Sequence, residues 1–72
     1  MLEFDGLKLK QLRQDRKLKQ RELALLVGKQ QSHIANYENG VATPPSGTLL
    51  NLMSFFQVSA KDLSKNAEVI LI

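Results

Sequence analysis

Few residues in this 72-residue chain are equipped for covalent or metal chemistry. There is no cysteine and only one histidine, His33, so thiolate zinc sites and histidine clusters are excluded. No metal and no cofactor is expected. Ser46 and Ser59 stand in no motif that supplies a base, and they read as helix caps. Acids and bases are not clustered as general acid–base work needs. An enzyme is therefore not expected. The cations are distributed unevenly. Residues 1–30 carry eight Lys/Arg against four acids, a balance of +4, whereas residues 31–72 carry two against three, a balance of −1. A basic half suits an anionic partner such as a phosphate backbone, or simply a solvated charged surface.

A chain this short buries only about 60% of its unfolded surface, so its core is marginal. Without disulfides, the remaining supports are tight helix packing and oligomerisation. No segment approaches the ~20 apolar residues that span a bilayer. The start Met1-Leu2-Glu3-Phe4-Asp5 lacks the basic and apolar regions of a signal peptide. No membrane role is expected, and the expected location is the cytoplasm.

These residues must be positioned by short helices joined by short turns. Leu9 and Leu12, preceded by Phe4 or Leu7, predict a first helix over about 6–16. A break follows at 17–19. Leu23, Ala24 and Val27 share one face of a second helix over about 20–27, which Gly28 ends. Ile34 and Tyr37 share a face of a third helix over about 30–38, closed by Asn39-Gly40. Pro44-Pro45 keeps 41–46 a loop. Leu49, Leu52, Met53 and Phe56 form the core stripe of a fourth helix over about 47–56. Ser59 and Asp62 resemble a capping box and start a short fifth helix ending near Ser64.

The informative stretch is Gln20 to Asn39. Ala24 is small enough for a close helix crossing, Gly28 suits a turn with positive φ, and Ile34 is an anchor for the second helix. Tyr37 follows one turn later. That spacing is what a helix-turn-helix needs, with the opposite face of the second helix free to enter a DNA major groove.

The stretches Leu9-Lys10-Gln11-Leu12-Arg13, Leu18 through Ala24, Val27-Gly28, Ile34 through Gly40, Pro44, Leu49-Leu50-Asn51-Leu52 and Val58-Ser59 occur together and in order. In that combination the chain resembles the lambda-repressor and Cro-type helix-turn-helix family, the XRE-like regulators of phage and bacteria. The resemblance covers about Gly6 to Leu63. It implies an all-α, compact five-helix bundle with the helix-turn-helix in helices 2 and 3. It also implies double-stranded DNA as partner, bound as a homodimer on a palindromic operator, usually to repress. By position, Gln31, Ser32 and Asn36 are the implied base-reading residues. Gln20 is implied to contact phosphate and support them, and Asn39 matches a backbone-contact position. Lys29, Gln30 and His33 flank the reading face, and Lys10, Lys19 and Arg21 are electrostatic contributors. Arg13 and Glu38 match a structural ion pair between helices 1 and 3.

Three residues depart from the family pattern. Lys17 and Gln57 stand where glycine is common, which puts non-glycine residues at positive φ. Lys19 stands where Ser or Thr caps helix 2, so a cap is expected to be missing, worth about 1 kcal/mol. The domain is read as 1–64, with 65–72 as a tail ending in Val69-Ile70-Leu71-Ile72, a β-branched run that favours a strand. Three fates remain open for it: a frayed end, pairing with Leu2–Phe4, or a ribbon between two protomers. Related roles are an antitoxin that also binds a toxin and a controller protein of a restriction-modification system. A protein-interaction module without DNA binding is the reading of a different class. The absence of acids over residues 29–36 argues against it.

Overall fold

A polar cap starts the first helix: Asp5 accepts from the Leu7 amide at 3.0 Å through Oδ1. The helix runs Gly6–Asp15 (α1) and buries Leu9 and Arg13. It is followed by α2 (Gln20–Leu26), α3 (Gln31–Glu38), α4 (Ser46–Phe56) and a 3₁₀ turn, Ala60–Leu63. These elements belong to a computed structural model, which describes residues 3–65. Among those residues there is no sheet. Leu9, Leu23, Ala24, Val27, Ile34, Tyr37, Leu52, Phe56 and Leu63 form the buried apolar core. Phe4, Leu12, Leu18, Leu49, Met53, Phe55 and Val58 pack around it. The most extensive helix–helix contact is between α2 and α3.

Two expectations need correction. The fifth helix is a single 3₁₀ turn, not an α-helix. Its box is present, with Asp62 accepting from the Ser59 amide at 2.9 Å and from its hydroxyl at 3.2 Å. Those bonds hold the Asp62 carboxyl below its ordinary range. Only four residues follow the cap before Ser64 turns extended, too few for a stable α-helical run. The second correction concerns Ser46, which is the first residue of α4, while Pro45 takes the cap position.

The ends of the described chain are fastened together. Phe4 and Ser64 form an isolated antiparallel bridge. The Asp5 amide donates to Leu63 O at 2.8 Å, and the Lys65 amide to Glu3 O at 2.7 Å. Lys8 Nζ adds a bond to Ser64 O at 2.8 Å. The segment Val69–Ile72 lies outside the described residues.

One turn geometry closes all four α-helices. The amides of Leu18, Lys29, Val41 and Val58 each donate to the carbonyl five residues back, at 3.1, 2.8, 2.9 and 3.0 Å. This bond requires a left-handed residue just before the donor. Gly28 (φ 72°) and Gly40 (φ 78°) meet the requirement without strain. Lys17 and Gln57 meet it at φ 57° each, where a Cβ crowds the backbone. A different constraint acts on Gly6, which starts α1 against the end of α3. A Cβ there would lie 2.6 Å from the Glu38 carbonyl oxygen and closer still to that of Tyr37.

Urea unfolding checks these points. Lys17→Gly and Gln57→Gly should each stabilise by about 0.5–1 kcal/mol, relief of left-handed strain less the entropy of a freer unfolded chain. Gly6→Ala should destabilise by about 2 kcal/mol, because only backbone can give way.

Candidate nucleic-acid interface

The turn that ends α1 and the ion pair beneath it set the geometry of the basic face. Arg13 on α1 and Glu38 at the end of α3 are both buried, with 10% and 1% of their side chains exposed. Arg13 Nε donates to Glu38 Oε2 at 2.6 Å, and Nη2 to Oε1 at 3.1 Å. Its Nη1 donates to the Leu18 carbonyl at 2.8 Å, in the turn before α2. One guanidinium thus joins α1, the α1–α2 turn and α3. Among the described residues, no buried side-chain polar atom lacks a hydrogen-bond partner.

From this pair a chain of bonds leads outward. Gln20, first residue of α2, donates from Nε2 to Glu38 Oε1 at 3.0 Å. Gln31, first residue of α3, donates from Nε2 to Gln20 Oε1 at 3.5 Å, the longest link. Gln31 and Glu38 are seven residues apart, so they lie on one face of α3 about 10 Å apart along its axis. Gln20 spans that gap. Beside the chain opens a polar cleft of about 490 Å³, lined by Arg13, Lys19, Gln20, Arg21 and Gln31.

The exposed side of α3 carries Gln31, Ser32, His33 and Asn36. Gln30 caps α3, and its amide donates to His33 Nδ1 at 3.2 Å. In that bond Nδ1 is the acceptor. The ring lies 6.5 Å from Tyr37, nearly parallel to it. Lys29 is half-buried in the turn, and Lys10 is exposed one turn before Arg13. Asn39 is exposed at the opposite end of α3 from Gln31, near Asp5, Leu7 and Lys65. It does not join the cleft. The Lys19 side chain accepts nothing at the cap of α2, since an ammonium has no lone pair. Half of the cap is nevertheless present: Glu22 Oε1 accepts from the Lys19 amide at 2.7 Å.

Several partnerships went unread in the sequence. The Glu38–Gln20 bond is one; its only signal is that positions 31 and 38 share a face. Arg16 is another, with Nη2 donating to Phe56 O at 3.3 Å and its guanidinium 5.7 and 5.4 Å from the Phe55 and Phe56 rings. A cation there suits the negative end of α4.

Comparison with known proteins agrees with this geometry. A helix-turn-helix family model matches residues 9–63, most of the chain. The chain belongs to the helix-turn-helix family. Among solved structures it is similar to the P22 c2 repressor in complex with a synthetic operator, with TM-score 0.79, 28% identity, and 83% of this chain and 91% of that one covered. It is also similar to the restriction-modification controller protein C.AhdI from Aeromonas hydrophila, with TM-score 0.73, 28% identity, and coverage of 81% and 88%. Compared by sequence with curated proteins, it matches none. Among the described residues, no helix is long and apolar enough to cross a membrane, and no three His, Cys, Asp or Glu converge to hold a metal.

The ion pair yields a direct test by thermal and urea unfolding. Arg13→Ala or Glu38→Ala should cost about 3–5 kcal/mol, because each leaves a buried charge alone. The double change Arg13→Met with Glu38→Met should cost much less than the sum of the two.

Proposed function

We propose that the chain is a sequence-specific DNA-binding regulator of transcription, acting as a dimeric repressor on a palindromic operator. In this reading α3 enters the major groove. Gln31, Ser32 and Asn36 meet base edges, where a Gln or Asn amide pairs with adenine N6 and N7. Gln20, Lys19 and Arg21 meet phosphate from the cleft; Lys10, Lys29, Gln30 and His33 flank them, and Asn39 meets the DNA backbone from the far end of α3. The observation that carries the reading is the line of bonds from the buried Arg13–Glu38 pair through Gln20 to Gln31, opening on a basic cleft beside an acid-free helix face. The likeness to a repressor bound to an operator supports it.

The dimer is assigned to the tail. Four apolar residues, Val69 to Ile72, would pair with the same run of a second copy. The likeness to a controller protein favours one variant of the same function, a regulator within a restriction-modification operon.

Selection of duplexes from random DNA at physiological salt tests the reading. The full chain should enrich a palindromic site, and a chain ending at Lys65 should bind it poorly and sediment as a monomer. Gln31→Ala or Asn36→Ala should lose preference for that site while keeping the fold and non-specific affinity. Lys10→Ala and Lys19→Ala should each weaken binding to all sequences and lower the salt slope by about one. Unchanged site choice by Gln31→Ala would refute the assignment of the reading face.

A further inference from the structure

We propose that Glu38, although buried and two turns from the recognition end of α3, is a positioning residue for base choice. Its carboxylate sets the polarity of the Gln20 amide, and through it the polarity of Gln31. This rests on the reading of α3 as the groove helix.

Both Glu38 oxygens face the Arg13 guanidinium, at 2.6 and 3.1 Å. A carboxylate so paired offers acceptors only. The end of the Gln20 amide that lies 3.0 Å from Oε1 must therefore be its nitrogen. Its oxygen then faces the other way, toward Gln31 at 3.5 Å. A carbonyl oxygen only accepts, so Gln31 must turn its nitrogen to Gln20. Each amide has two orientations related by a flip, and each flip is decided by the group behind it. The decision originates at a charge with 1% of its side chain exposed, where water cannot supply a substitute donor.

Gln31 therefore meets the groove with donor and acceptor in one order. That order matters because base pairs present theirs in fixed sequence along the groove: adenine has an acceptor, N7, beside a donor, N6, and guanine has two acceptors side by side. A flipped amide would suit a different arrangement. Glu38 removes the flipped state without touching DNA.

Duplex selection with three variants separates this role from simple stabilisation. Arg13→Lys keeps the carboxylate; it should weaken the fold and overall binding, yet keep the ratio of preferred to other bases at the pair that Gln31→Ala alters. Glu38→Gln can offer either end of its amide to Gln20, so that ratio should fall roughly tenfold, with the pair altered by Asn36→Ala keeping its preference. The double change Arg13→Met with Glu38→Met should lose the same ratio, and it stands in if Glu38→Gln does not fold. Unfolding midpoints are measured alongside. Preference lost in proportion to stability, in Arg13→Lys as much as in Glu38→Gln, would overturn the proposal, as would an unchanged ratio in the double variant. Enrichment of a duplex by the unmodified chain, with the ratio indifferent to Glu38, refutes the polarity role alone. No enrichment at all refutes the DNA-reading function and the proposal with it.

Discussion

A buried ion pair is the constraint around which this domain is arranged. Arg13 and Glu38 meet in bidentate geometry out of solvent, and the third guanidinium nitrogen is taken by the Leu18 carbonyl. Among the described residues, neither charge has a second ion-pair partner. The pair is weak evidence for net stability, because desolvation offsets most of the attraction. Its value lies in register: α1, the turn into α2 and the end of α3 satisfy the guanidinium together in one arrangement. Gln20 is aligned by the same carboxylate, so the first turn of α3 is tied to the interior through Gln31.

The rest of the fold keeps that arrangement closed with little material. Among the described residues, nine buried apolar side chains form the core. The four helices end in the same left-handed turn, which lets each connection be short and reverses the chain within a few residues. Where the turn residue is Lys17 or Gln57, backbone strain is accepted so that the next segment can pack. The bridge between Phe4 and Ser64 ties the beginning of the domain to its end. Gly6 allows α1 to start in contact with the carbonyls that end α3, directly beside the ion pair.

Much of this was legible because it is periodic or steric. Leu52 and Phe56 lie one turn apart and are buried; Gly28 and Gly40 stand where φ is positive. Lys17 and Gln57 occupy positions where the family has glycine, and both adopt positive φ. What stayed hidden depends on which groups lack partners in three dimensions. Ser59 and Asp62 mark the start of a helical turn but not whether it continues as α or 3₁₀. Lys8 and Arg16 stand in no motif, yet both donate to carbonyls at the ends of other elements. The link from Glu38 to Gln20 joins residues eighteen apart in sequence and has no pattern of its own.

If the first turns of α2 and α3 meet DNA, as proposed, their amides respond to the duplex and those of α4 do not. Titration of the isotope-labelled chain with its selected duplex, followed by NMR of backbone and side-chain amides, measures this directly. The side-chain amides of Gln20, Gln31 and Asn36 and the backbone of residues 29–36 should shift together, while Asn51 and Leu50 on α4 stay in place. Shifts centred on α4, with Gln20 and Gln31 unmoved, would contradict it.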